Sequence, residues 1–261
     1  MRIGFVQTSP EFGDKDASLD RARSLIGVEK ADLLVLPELF ATGYTFTSRD
    51  EALSVAEAPG EQTTDFLMEI AAAIDGTVVA GFAERDGQKV HNSAMMVSPE
   101  GIVHVYRKLH LYYKEKLWFT PSDRSLAVQD IGEARVGIMI CFDWFFPEVA
   151  RTLALLGADI IAHPANLVMP YCQKAMVTRC LENHVFAVTA NRIGRETRGD
   201  DEFTFTGGSQ ITGPSGVIHA SAPSDEEAIT ILSINPKIAK NKKINEYNDL
   251  FEDRRPKFYS S

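Results

Sequence analysis

Arg135-Val136-Gly137-Ile138-Met139-Ile140-Cys141-Phe142-Asp143-Trp144-Phe145-Phe146-Pro147 is the stretch on which the fold turns. From Val136 to Cys141 it is apolar at every side chain, the pattern of a strand buried on both faces. Pro147 suits the first helical position, Glu148 favours the positive N-terminal end, and Gly157 terminates the segment, so the spacing predicts a helix over 147–156. The strand has a counterpart near the other end of the chain, because Arg2-Ile3-Gly4-Phe5-Val6 resembles Arg135-Val136-Gly137-Ile138-Met139. Two more matches follow in the same order. Ala31-Asp32-Leu33-Leu34 with Pro37 resembles Ala158-Asp159-Ile160-Ile161 with Pro164, and Pro99-Glu100-Gly101-Ile102-Val103-His104 resembles Pro214-Ser215-Gly216-Val217-Ile218-His219. One such match is cheap; three collinear ones indicate an internal duplication.

Each copy reads as strand, helix, strand, helix, strand and hairpin. Strands are expected at 3–7, 33–36, 78–82, 93–97, 103–106, 136–141, 160–162, 187–189, 209–212, 217–220 and 229–234, and helices at 19–28, 64–74, 147–156 and 175–185. No Pro/Gly/Ser-rich linker parts the copies, so residues 1–261 are expected to form one domain. Each sheet needs a helical cover on one face and can pack its other face on its twin. The expected fold class is therefore α/β, a four-layer α-β-β-α sandwich.

The 261 residues include 27 basic and 36 acidic side chains, a net charge of −9 that disfavours nucleic acid or an anionic membrane as partner. A hydrophobic content of 44% is ample for a stable core and excludes intrinsic disorder. Three cysteines cannot make a disulfide framework and leave at least one free thiol. No signal-peptide core and no run of ~18 uncharged apolar residues is present, so a cytoplasmic location is expected.

Cys141 stands at a strand end beside a helix start, where open α/β sheets place ligands and where a thiolate is favoured. A nucleophilic cysteine needs a base. Spacing singles out none of His91, His104, His110, His163, His184 and His219. Leu33-Leu34-Val35-Leu36-Pro37-Glu38-Leu39-Phe40 is more informative, since a carboxylate closes a buried strand inside an apolar collar. Lys108 ends a third run, in Tyr106-Arg107-Lys108-Leu109-His110. The pseudo-symmetric packing offers a way to bring these strand ends together. Gly207-Gly208-Ser209-Gln210-Ile211 lacks the second glycine of a nucleophile elbow, and no phosphate or dinucleotide loop is present. His163, Cys172, Cys180 and His184 lack the close cysteine pair of a zinc site, so no metal or cofactor is expected.

Taken together, Leu36-Pro37-Glu38, Tyr106-Arg107-Lys108-Leu109-His110 and Met139-Ile140-Cys141-Phe142-Asp143 resemble the motifs of the nitrilase superfamily of carbon–nitrogen hydrolases. The resemblance runs over essentially the whole chain. It implies the α-β-β-α sandwich, a catalytic Glu38–Lys108–Cys141 set, and a further active-site glutamate, Glu115, in Tyr113-Lys114-Glu115-Lys116-Leu117-Trp118-Phe119-Thr120-Pro121. It also implies hydrolysis of an amide through a thioester, with the oxyanion held by Lys108 and the Phe142 backbone N–H. Unperturbed thiol and glutamate pKa values differ by about 4 units, roughly 5–6 kcal/mol, a gap that a dry collar and the Lys108 cation would narrow. Nitrilases proper follow the nucleophile with Trp-Glu, whereas this chain has Phe142-Asp143, which favours amides over nitriles.

Tyr44, Phe142, Trp144 and Phe145 are the expected apolar pocket walls, and Asn166 is expected to line the pocket from the strand end after the nucleophile helix. Carbamoyl amine or amino acid hydrolysis, or nitrile hydrolysis, is the alternative. The carboxylate clamp for a carbamoyl amino acid would have to come from Arg179 or Arg192, although Arg179 with Glu182-Asn183 reads as a structural pairing. The tail at 235–257 interleaves seven basic and four acidic residues, the composition of a solvated or interface arm. The resemblance implies that a C-terminal arm, 235–261, crosses a homodimer interface and extends the sandwich to eight layers. A non-catalytic scaffold would have lost Glu38, Lys108 or Cys141, and a glutaminase subunit would be expected beside a synthetase domain.

Overall fold

The computed structural model describes residues 1–259. The first half runs β1 (Arg2–Gln7), α1 (Lys15–Ile26), β2 (Leu33–Val35), α2 (Arg49–Val55), α3 (Gln62–Ile74), β3 (Thr77–Asp86), β4 (Lys89–Ser98), β5 (Gly101–Arg107) and a short α4 (Glu115–Trp118). The second runs β6 (Val128–Asp130), β7 (Arg135–Ile138), α5 (Pro147–Leu155), β8 (Ile160–Pro164), α6 (Cys172–Asn183) and β9 (Phe186–Ala190). It continues through β10 (Arg195–Arg198), β11 (Asp201–Thr204), β12 (Gln210–Thr212), β13 (Ile218–Ser221), β14 (Ala228–Ser233) and α7 (Lys237–Lys240).

Two six-stranded sheets result, ordered β14-β1-β2-β3-β4-β5 and β13-β12-β9-β8-β7-β6. Read from the edge strands β14 and β6, they have the same plan: an antiparallel edge, three parallel strands, then two antiparallel ones. The duplication seen in the sequence is thus a duplication of topology. Strand alternation sorts each sheet's side chains into two layers. Val6, Leu34, Leu36, Val78 and Ala80 pack under α1 and α3, through Leu19, Ala22, Phe66, Leu67 and Ile70. Ile3, Phe5, Leu33, Val35 and Val79 face the other way and join Val136, Ile138, Ile160 and Val188 of the twin sheet. Helices α5 and α6 close the fourth layer with Val149, Leu153, Met176 and Cys180. The four-layer sandwich is as expected.

Three local expectations change. Helix α1 starts at Lys15, ahead of 19, because the Asp14 side chain accepts from Ala17 N–H and caps it. The nucleophile strand ends at Ile138 rather than at Cys141, which opens a 3₁₀ turn, Cys141–Phe145. The hairpin β10–β11 and helix α2 escaped the periodicity because they are charged, short and partly exposed. Ser260 and Ser261, the last residues of the arm expected at 235–261, lie outside the described residues.

Candidate active site

Three strand ends of the two sheets meet at one rim. After β2 the chain turns through Pro37 and Glu38, and Leu39 adopts a left-handed φ of 48°. This turn lies against β3 at Gly81, where a Cβ would stand 2.4 Å from the Glu38 Cα, so glycine is required for the approach. Lys108 follows β5 directly, and its backbone N–H donates to the Asn92 carbonyl at 2.8 Å. Cys141 begins its turn at φ 40°, and Tyr113, next to the loop helix α4, has φ 49°. Each of the three site loops therefore holds one non-glycine residue in the left-handed region, the kind of local strain that marks functional sites.

Their side chains converge in the interior. Lys108 Nζ donates to Glu38 Oε1 at 2.6 Å and to Glu115 Oε1 at 2.9 Å, and all three residues are buried. Burial opposes the lysine charge, but the Glu115 and Glu38 carboxylates outweigh it and hold Lys108 above its ordinary range. Glu115 is held by the Tyr112 N–H at 3.1 Å. Its carboxyl is pushed up chiefly by burial, against the pull of Lys108. Burial also raises Cys141 well above the usual thiol range; Glu38 adds to this, while Lys108 and the Asn166 backbone N–H oppose it. The expectation of a favoured thiolate is not met: burial and the Glu38 carboxylate raise the thiol, and Lys108 only partly opposes them.

The turn that carries Cys141 is braced from two sides. Asp143, fully buried, accepts from Ile140 N–H at 2.9 Å and Tyr106 Oη at 2.7 Å on one oxygen. On its other oxygen it takes the His110 backbone N–H at 3.1 Å, and His110 Nδ1 lies 2.8 Å away. His163 Nε2 lies 3.0 Å from the Cys141 carbonyl and Nδ1 lies 3.1 Å from Thr189 Oγ1. A carbonyl only accepts, so Nε2 carries the proton. Burial lowers His163 to about 4 and keeps it neutral. Both nitrogens are engaged, so His163 holds backbone and serves neither as base nor as metal ligand.

Phe142, Trp144 and Asn166 line the crevice over Cys141 together with Tyr112 and Leu167, and about 10 Å³ is free there. Tyr44, buried and with its hydroxyl set against Glu115, packs edge-on against Phe203 and Phe205 and lines a second cleft with Tyr113, Lys114 and Glu115. Phe145 is 50% exposed and packs against Phe142, Trp144 and Phe146. Arg192 is buried against Glu196 at 2.6 Å, and Arg179 pairs with Glu182 at 3.1 Å, as its helix spacing predicts. Asn92 of β4 was missed, although it donates to Glu38 Oε1 at 2.7 Å. Only its place between two hydrophobic strand segments, in His91-Asn92-Ser93, could have flagged it.

Comparison with known proteins gives the family. The family model described as carbon-nitrogen hydrolase matches residues 2–243. The chain is 47% identical over 263 residues to a protein named nitrilase from Pyrococcus abyssi (strain GE5 / Orsay), covering 99% of each. It is 37% identical over 231 residues to an (R)-stereoselective amidase from Pseudomonas sp, covering 87% of this chain and 82% of the relative. Its fold is that of the crystal structure of an amidase from Nesterenkonia sp., with a TM-score of 0.80 at 23% identity over 99% of this chain and 95% of that one. A chain with this duplicated sandwich and these matches belongs to the carbon–nitrogen hydrolase family, within the nitrilase superfamily.

Proposed function

We propose that this enzyme hydrolyses a small primary amide to its carboxylic acid and ammonia through a thioester on Cys141. One observation carries the reading: Cys141, Glu38 and Lys108 are buried together, Glu38 Oε2 has no hydrogen-bond partner, and Lys108 is clamped by two carboxylates. Glu38 Oε2 takes the thiol proton as sulfur attacks the amide carbon. The oxyanion is stabilised by the Lys108 ammonium and the Phe142 backbone N–H. Glu38 returns the proton to the departing nitrogen, ammonia leaves, and the C–N bond is replaced by C–S. Water, activated by the same carboxylate, then cleaves the thioester to release the acid and restore the thiol. Lys108 acts as a fixed charge, because the carboxylates that hold it make proton loss costly. Glu115 keeps it in place.

The crevice lining supports an amide with a short aliphatic or compact aromatic acyl group, because Tyr112, Phe142, Trp144 and Leu167 offer apolar contact beside Cys141. The two arginines that could clamp the carboxylate of a carbamoyl amino acid are tied to Glu196 and Glu182. Phe142-Asp143 after the nucleophile supports amide over nitrile. An exposed apolar band at Leu155, Leu156 and Leu181, with the arm beside it, supports a homodimer that buries this face and adds four layers to make eight. The three unpaired thiols suit the reducing cytoplasm.

Ammonia release from short aliphatic amides, ω-amides, carbamoyl compounds and nitriles, with intact-mass detection of an acyl adduct on Cys141, tests the reading. Short amides are expected to lead the panel by at least about tenfold in kcat/KM, about 1.4 kcal/mol. Turnover of nitriles or carbamoyl compounds ahead of every amide would overturn the substrate assignment. A monomeric mass by light scattering would refute the dimer.

A further inference from the structure

Asn92 sits within β4, where every residue from Val90 to Val97 is buried. Burying a carboxamide there is unfavourable, the more so because its Oδ1 has no hydrogen-bond partner. An apolar side chain would suit the strand better, so the residue calls for an explanation beyond packing. Its neighbour Ser93 points to the opposite face of the sheet, where the hydroxyl donates to Glu84 Oε2 at 2.6 Å. The Asn92 face is the site face.

Asn92 Nδ2 donates to Glu38 Oε1 at 2.7 Å, and Lys108 Nζ donates to that same oxygen at 2.6 Å. A carboxylate oxygen only accepts, so the carboxamide must present its nitrogen to Glu38. Two donors converge on Oε1, and the buried Oε2 is left without a partner. The terminal torsion of a glutamate is soft and roughly two-fold, and Lys108 is a point charge on a flexible stem drawn equally to Glu115. Lysine alone does not distinguish the two oxygens. A second, planar donor fixed to a β-strand does. The Asn92 carbonyl also accepts the Lys108 backbone N–H at 2.8 Å, so one residue sets the positions of both partners.

We infer that Asn92 is a positioning residue, which anchors Glu38 through Oε1 and so makes Oε2 the oxygen that takes the Cys141 proton; the inference rests on the assignment of Glu38 as base. The charged and titratable groups facing Glu38 are Lys108, Glu115, Cys141, the hydroxyl of Tyr44 and the buried Arg192, which is paired with Glu196.

The test follows alkylation of Cys141 by iodoacetamide, read by intact mass between pH 5 and 9 on the full chain, beside melting temperature and ammonia release. Glu38→Gln is expected to slow alkylation at neutral pH by at least about 100-fold. Asn92→Ala is expected to slow it about tenfold and to move the acid limb of the rate profile up by about one pH unit, because the carboxylate loses a donor. Asn92→Asp keeps the shape but opposes Glu38 with a second carboxylate, and is expected to move the limb further the same way. If Glu38→Gln reacts as fast as the native enzyme, the base assignment falls and this inference falls with it. If Glu38→Gln is slow but both Asn92 variants keep the native rate and limb, the base assignment stands and the role of Asn92 is refuted. A lowered melting temperature with an unmoved limb in the folded fraction also refutes it, since that is what a purely structural asparagine gives.

Discussion

The two halves of the chain share one backbone plan, yet equivalent strand ends carry opposite kinds of residue. Carried across the three repeats, Cys141 falls on Thr8, Glu38 on Ala165 and Lys108 on Pro223. Thr8 Oγ1 donates to Glu227 at 3.0 Å, the Pro223 carbonyl accepts Gln7 Nε2 at 2.6 Å, and the Ala165 N–H donates to Ala190 at 2.9 Å. At one rim, ionisable side chains converge on a crevice. At its twin, a hydroxyl, a carboxamide and backbone groups, with the Glu227 carboxylate as one acceptor, knit the strand ends together. The same frame therefore supplies two candidate rims, and the side chains decide which is a site and which a seam. Gly81 illustrates this: the parallel registers pair Val35 with Val79 and Ala162 with Val188, so its twin two residues on is Ala190. Alanine is tolerated where the facing strand end carries no glutamate.

Substitutions across this pseudo-symmetry should break or sharpen the contrast. The largest effect is expected from Cys141→Ala, which should lower ammonia release by at least about 10³-fold with little change in melting temperature. Native turnover in that variant would remove the distinction between rim and seam.

His163, whose twin is Leu36, should give the next effect, in stability against pH. Its ordinary pKa is about 6.5 and burial lowers it to about 4. Between these values the unfolded chain binds more protons than the folded one. The stability of the neutral, buried ring is thus complete above pH 6.5 and is lost as pH falls toward 4, by up to about 3 kcal/mol. Denaturant titrations of His163→Leu should show a shallower loss over that window. An equally steep loss would assign the slope to other groups.

Gly81→Ala installs the twin's residue. The new Cβ must displace the Glu38 turn, and about a 100-fold loss in kcat/KM is expected for a shift near 1 Å. Ala190→Gly, the reverse exchange, should cost only about 1 kcal/mol of stability and leave turnover intact. The smallest effect is expected at the seam, where Thr8→Val should lose about 1 kcal/mol in stability and less than about threefold in kcat. A large loss of kcat there would mean that the seam shapes the crevice.

Much of this was legible in the chain, for physical reasons. Buried parallel strands read as continuous apolar runs, and a repeated fold repeats its strand starts and turns, so both sheets and four of the main helices could be placed. Glu38, Lys108 and Cys141 stood out because each ends such a run. The hairpin β10–β11 did not, since Arg195-Glu196-Thr197-Arg198 and Asp201-Glu202-Phe203-Thr204 look like solvated loop, whereas in the fold Glu196 is buried against Arg192 and accepts the Thr45 N–H at 2.8 Å.

By itself the sequence determined the duplicated α-β-β-α plan and the three ionisable residues at its strand ends, because hydrophobic period, turns and repeats are properties of local segments. The tertiary structure alone decided that burial raises the Cys141 thiol and that His163 is a brace rather than a base. It alone decided that Asn92 and Lys108 reach the same oxygen of Glu38 from 54 and 70 residues away. Such facts depend on burial and on distances between side chains brought together from separate strands, and no local pattern encodes them.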